Sequence, residues 1–128
     1  MPGHPISYRD VLLDLFPGPY MDLRVSWHGN TRSMLGLLDS GADQSIVPDQ
    51  VARALGLTQI DEVDVEDANG GSERRAVYAA DLEFDGHSVT ALPMAGTDYP
   101  IVLLGRDVLN GFRAVLDGPA QEFTLSKP

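Results

Sequence analysis

The sequence predicts a mostly β protein, a small barrel or sandwich with one or two short helices, and three observations carry that expectation. Apolar residues fall in many short runs, several alternating with polar ones, and clusters of Gly, Asn and Asp stand between them. Helical start and stop signals occur in only two places, and both stretches are brief. At 128 residues the chain suits a single domain with a core of its own and leaves no room for a second of normal size.

Residues 1–20 are rich in Pro and Gly and hold one apolar patch, Val11 to Phe16, between breakers, which reads as an ordered N-terminal arm ahead of a domain over 21–128. Residues 21–27 and 33–38 are short apolar runs separated by the polar turn His28-Gly29-Asn30-Thr31, a β-hairpin signal. Pro48-Asp49 stands ahead of Val51, Ala52, Ala54 and Leu55, and Gly56 follows, so a short helix is expected there. Residues 62–66 alternate Val63 and Val65 with acids, Asn69-Gly70-Gly71 forms a turn, and 75–84 resumes as a strand, giving a second hairpin. Asp85-Gly86 turns the chain into a strand over 88–94. Residues 101–104 are wholly apolar, as buried strands are. Val108-Leu109 suggests a brief helix closed by Asn110-Gly111, and 122–125 a terminal strand.

Composition removes several functions. Without cysteine there is no disulfide, thiolate nucleophile or cysteine-held metal. A net charge of -10, with nine scattered basic residues, repels phosphate backbones, so no nucleic-acid partner is expected. No apolar run is long enough to cross a bilayer and the start lacks the form of a secretory signal; no membrane partner and a cytoplasmic location are the expectations. His4, His28 and His87 have no metal-ligand spacing and read as surface or turn residues, and the acidic stretch 61–67 reads as a solvated strand face, so no metal or other cofactor is expected.

Chemistry concentrates in LLDSGADQSIVP, residues 37–48, where an apolar strand runs directly into Asp39-Ser40-Gly41-Ala42-Asp43. Asp-Ser-Gly alone is turn composition. The apolar flanks, Met34 to Leu38 before and Ile46-Val47 after, instead imply a buried loop, and a carboxyl at the end of a buried strand is partly withdrawn from water. Gly41 allows close backbone approach, and the Ser40 hydroxyl can fix the turn. A Gly-x-Ser-x-Gly elbow is absent, which sets a serine hydrolase aside.

The segment resembles the retropepsin-like aspartic protease family, in which an apolar strand leads into Asp-Thr/Ser-Gly-Ala and a second apolar pair precedes Gly. IVLLGRDVLNGF, residues 101–112, supplies that second half, with Leu103-Leu104-Gly105 followed by Arg106. Between the two lies VEDANGGSERRAVY, residues 65–78, which looks like the family's flap hairpin, its tip at Ala68, Asn69, Gly70 and Gly71. The resemblance covers roughly residues 23–125. It implies a single-lobe acid-protease β-barrel with a flap, Asp39 as catalytic aspartate in a loop with Ser40, Gly41 and Ala42, and an Arg106–Asp43 ion pair that braces the loop and the dimer edge beside Leu104 and Gly105. Ser40 stands where Thr is commoner, and the flap tip is more polar than in viral examples.

One carboxylate cannot both activate water and protonate a substrate, and the chain carries the motif once. A homodimer brings a second Asp39 across a twofold axis. The implied activity is hydrolysis of a protein or peptide substrate; the alternative is a non-catalytic dimeric peptide-binding or assembly module on the same fold.

Overall fold

The computed structural model describes residues 3–11, 16–66 and 69–128. Its strands, in chain order, are β1 (Ile6–Ser7), β2 (Tyr20–Trp27), β3 (Asn30–Leu38), β4 (Ile46–Pro48), β5 (Thr58–Glu66), β6 (Ser72–Phe84), β7 (His87–Thr97), β8 (Val102–Leu104), β9 (Arg113–Asp117) and β10 (Glu122–Ser126); the helices are α1 (Asp49–Leu55) and α2 (Arg106–Leu109). Most of the apolar patch expected at 11–16 lies outside the described residues. No described helix is long and apolar enough to cross a membrane.

Tight turns set the register. His28 and Gly29 both have positive φ, 49° and 86°, which twists a two-residue loop the way the flanking strands twist and lets Trp27 pair with Asn30. Asp85 and Gly86, at 47° and 75°, do the same between β6 and β7. The main sheet runs β2-β3-β8-β4-β7-β6-β5, and β2 pairs again with β6 through Arg24↔Glu83, Val25↔Leu82 and Ser26↔Asp81. That second pairing closes six strands into a barrel and leaves β5 attached outside as the outer strand of a hairpin. Closure removes two open edges and gives inward-facing residues one common core.

Val25, Val47, Leu82, Phe84, Met94, Val102 and Leu104 fill the interior, and α1 covers one side with Val51, Ala52 and Leu55. Gly56 ends α1 in the left-handed conformation (φ 65°), its N–H donating to the Arg53 carbonyl while the Leu57 N–H donates to that of Ala52. A smaller sheet, β1-β10-β9, lies beside the barrel; Phe123 and Leu125 of β10 point into the core, and Ile6 and Tyr8 of the arm pack on it.

One expectation is corrected here. His87 is buried rather than on the surface: its ring sits 4.6 Å from that of Phe112 and 6.0 Å from that of Phe84, and its Nε2 has no hydrogen-bond partner among the described residues. The Asp85-Gly86 turn is so tight that the residue following it already faces inward at the first position of β7.

Candidate active site

The two motifs meet because their strands are parallel neighbours. β3 and β8 pair in register, Gly36↔Val102, Leu37↔Leu103 and Leu38↔Leu104, so both chains leave the sheet side by side. The ladder continues one step past the strands, with the Asp39 N–H donating to the Leu104 carbonyl at 2.9 Å. Asp39 is half-buried just past the end of β3, where Gly36 and Leu38 are buried, and its Oδ1 accepts the Gly41 N–H at 3.0 Å. A Cβ on Gly41 would lie 3.2 Å from that same oxygen, so glycine leaves the carboxylate where it is.

Gly105 lets the second motif press against the first. A Cβ there would stand 2.8 Å from the Gln44 carbonyl carbon and 2.9 Å from the Ala42 oxygen, both backbone atoms. Past this contact the Arg106 N–H donates to the Ala42 carbonyl at 2.8 Å. The loop 39–45 is thus clamped by main-chain bonds from the second strand, which holds the Asp39 carboxylate in one orientation.

The expected ion pair of Arg106 with Asp43 is not formed. Arg106 Nη1 instead donates to the Ser40 carbonyl at 2.8 Å, and Asp43 is exposed without an ion-pair partner among the described residues. Both side chains are at the surface, where an ion pair gains little, whereas the carbonyl is a fixed acceptor within reach. The acid that ties the two motifs is Asp107. Its Oδ2 accepts the Ser45 N–H at 3.0 Å and its Oδ1 accepts the Ser45 hydroxyl at 2.7 Å, while the Ser45 oxygen in turn accepts the Gly105 N–H at 2.9 Å. Ser45 is fully buried. Sequence reasoning passed over both residues, although both lie within the two quoted motifs.

Beyond the loop, β5 and β6 form the flap-like hairpin, paired from Thr58↔Ala79 to Glu66↔Ser72. Gly70 takes φ 81° and, with Asn69 and Gly71, is exposed at the turn; the expected tip residue Ala68 lies outside the described residues. Arg74 bridges Glu62 and Asp64 on the outer face at 2.9 and 3.2 Å. Arg75 reaches the other way, to Glu73 at 3.0 Å, Asp98 at 3.2 Å and Asp49 at 3.3 Å, fastening the hairpin to the first turn of α1 and to the loop after β7. The hydrogen bond from Arg75 holds the Asp98 carboxyl below its ordinary range, and the same bond raises the guanidinium.

Between hairpin and barrel lies a recess of about 140 Å³ lined by Ile46, Val65, Glu66, Glu73, Arg75 and Thr97 among others. Ile46 pairs with Leu103, which pairs with Leu37, so the recess opens on the sheet that carries Asp39. A larger hollow of about 460 Å³, between α1, Met34 and the 97–100 loop, includes no residue of 39–43.

The model of the gag-polyprotein putative aspartyl protease family matches residues 25–111. A search of curated protein sequences returned no match. Among solved structures, the chain is similar to an EIAV protease complexed with the inhibitor HBY-793, at 22% identity and TM-score 0.59, covering 76% of this chain and 89% of that one. It is also similar to a retropepsin-like aspartic protease from Rickettsia conorii, at 18% identity and TM-score 0.58, covering 83% and 80%. The retroviral protease-like domain of Ddi1 from Leishmania major superimposes with TM-score 0.51 at 15% identity, covering 84% and 88%. Resemblance at this level of identity speaks to the fold, and the barrel, flap-like hairpin and loop-bearing strands agree with it.

Proposed function

Since the chain belongs to the gag-polyprotein aspartyl protease family, we propose that it is an aspartic endopeptidase that works as a homodimer, with one Asp39 from each subunit. The observation that carries this reading is the clamped carboxylate: Asp39 leaves the paired strands β3 and β8 with its N–H on Leu104 and its Oδ1 on Gly41.

Hydrolysis of an amide by water needs a base for the water and an acid for the carbonyl oxygen. Two carboxyls a few ångströms apart resist double ionisation and hold one proton between them, as aspartic-protease dyads do in general, and that state supplies both roles at once. The ionised Asp39 takes a proton from the bridging water, whose oxygen adds to the scissile carbonyl carbon. The protonated Asp39 gives its proton to the carbonyl oxygen, forming a neutral gem-diol with no acyl-enzyme. Collapse of that intermediate re-forms the carbonyl, breaks the C–N bond and passes a proton to the departing amine. In this reading the hairpin β5–β6 covers an extended peptide, and backbone groups at Gly41 and in the hairpin give it strand-like hydrogen bonds.

The test is cleavage of a denatured-protein peptide mixture between about pH 3 and 8 by the wild type and by Asp39→Asn, which keeps the shape and removes the acid. The expected result is acid-favoured cleavage by the wild type and none by a variant that melts like it. Equal cleavage by both would remove Asp39 from the chemistry. Silence from both, at concentrations where the chain is dimeric, would favour the non-catalytic assembly module.

A further inference from the structure

The first part of β3 has an open edge. Its two-residue loop makes Trp27↔Asn30 a bonded pair, so Asn30, Arg32 and Met34 turn their main-chain groups to β2, and Thr31 and Ser33 turn theirs to the other side. On that side β8 begins only opposite Gly36, and β3 has no other ladder neighbour. The reason lies just upstream of β8: Pro100 has no N–H to give, and the Tyr99 N–H turns back to the Thr97 hydroxyl at 3.1 Å. Thr31 and Ser33 are exposed, and their edge-facing N–H and C=O groups have no main-chain partner among the described residues. The hollow of about 460 Å³ lies beside this edge, with Arg32, Met34, Arg53 and Tyr99 in its lining. Arg32 stands opposite Val25 and Met34 opposite Leu23, so both are on the face that carries the core. That row passes from exposed at Arg32 through half-buried at Met34 to buried at Gly36 and Leu38, which makes the hollow an uncovered continuation of the core face. Neither Arg32 nor Arg53 has an ion-pair partner among the described residues, in a chain of net charge -10. The acids at the margin, Asp49 and Asp98, are both held by Arg75. One charge suffices to keep an edge from pairing, whereas here cations from two elements, β3 and α1, line one hollow together with the apolar Met34 and Val51.

We infer that this edge is a strand-addition site for an extended acidic segment of the protein substrate, bound apart from the residues that are cleaved; that the segment belongs to a substrate rests on the endopeptidase reading above. The segment continues the line of β8 along β3 and exchanges main-chain hydrogen bonds with Thr31 and Ser33. Residues opposite each other in a ladder share a face, so every second side chain of the segment points into the hollow beside Arg32 and Met34. The lining selects their chemistry: a carboxylate at the position nearest Arg32 and Arg53, and an aliphatic side chain two residues away, against Met34. The hollow includes no residue of 39–43, so the segment and the scissile bond occupy different places on the molecule.

The experiment is fluorescence anisotropy on the full chain in the Asp39→Asn background, with a labelled synthetic peptide in which Thr alternates with Glu and Leu, so that Glu and Leu share one face. Arg32→Glu and Arg53→Glu should each weaken binding at least about tenfold, and the double variant should prefer the same peptide with Lys in place of Glu. Both arginines are exposed, so melting should be unchanged. N-methylation of alternate residues in the probe removes its donors without touching the protein; methylation of one alternate set should abolish binding and of the other should not. Amide exchange at Thr31 and Ser33 should slow when the probe binds. Equal binding of Glu and Lys probes, arginine variants that bind like the parent, indifference to N-methylation, or no binding at all would each overturn the site. In the wild type, joining the acidic segment to a cleaved peptide through a flexible linker should lower KM several-fold with kcat unchanged, and Arg32→Glu should remove that gain. The two readings fail separately. Binding that obeys this charge and N-methylation logic in a chain that cleaves nothing as wild type retires the protease and keeps the strand-addition site; cleavage that is indifferent to the added segment, by a chain that does not bind the probe, retires the site and keeps the protease.

Discussion

Ser45 shows how much of the candidate site depends on a side chain with no chemical role. Its hydroxyl donates to Asp107 and accepts from the Gly105 N–H, in a fully buried position where that N–H could not turn to water. Ser45→Ala leaves the Gly105 N–H unsatisfied and takes one donor from a carboxylate. The expected loss is about 1–3 kcal/mol of stability, read as a lower urea midpoint with an unchanged slope. Placement was legible from the sequence where a residue type has few uses: Asp39 after an apolar strand, and Gly41 close beside it. It was not legible for the brace. Arg106 and Asp43 were the charged residues expected to pair, yet the link is made by Arg106 to the Ser40 carbonyl and by Asp107 to Ser45. Which of two acids receives a hydrogen bond depends on backbone direction at the exit of β8, and composition does not record direction.

Among the elements, the hairpin β5–β6 depends on Arg75, whose side chain is 17% exposed and ion-pairs with three carboxylates from different segments. Arg75→Gln would leave Asp49, Glu73 and Asp98 facing one another without a cation. The expected outcome is a lower melting temperature and faster amide exchange in 72–78, with the barrel strands unaffected. Acid should act on the clamp in the same direction. Asp98 has its folded pKa depressed by Arg75, so its contribution is present above the unfolded value of about 3.9 and is lost as pH falls through the still lower folded value. Asp98 is largely exposed, which keeps the effect small. The clamp therefore survives mild acid, where a one-proton dyad works, and a melting profile from pH 7 down to about 4 should show no Asp98-dependent step. Elements were readable from the sequence where turn chemistry marked them, as at Gly29, Gly56 and Gly86. β7 passes through Pro93, opposite Ala79 near an irregularity at Ala80/Leu82, and runs on past the expected end at Met94 because Ala95, Gly96 and Thr97 pair with the short strand β4. β4 is three residues long and β9 is flanked by charges and exposed throughout, so neither carries the periodicity that a buried face imposes.

At the scale of the molecule, closure through β2 and β6 makes one rigid barrel, and everything proposed for catalysis lies on the loops and hairpin that it carries. A rigid half-site has a consequence that dilution and mixing can read. If a working site takes one Asp39 from each of two subunits, replacing half of the subunits with Asp39→Asn at constant total concentration leaves wild-type pairs as only about a quarter of all dimers, because pairing is random and a mixed dimer has one acid. Activity should fall to about a quarter. A site complete within one chain would retain about half under the same replacement, since each wild-type subunit would go on working. Subunits must exchange for the comparison to hold, so the mixture is first diluted to where dimers dissociate and then reconcentrated. Specific activity of the wild type should drop over that same dilution range and return on reconcentration, whereas an enzyme complete in one chain would show a flat line.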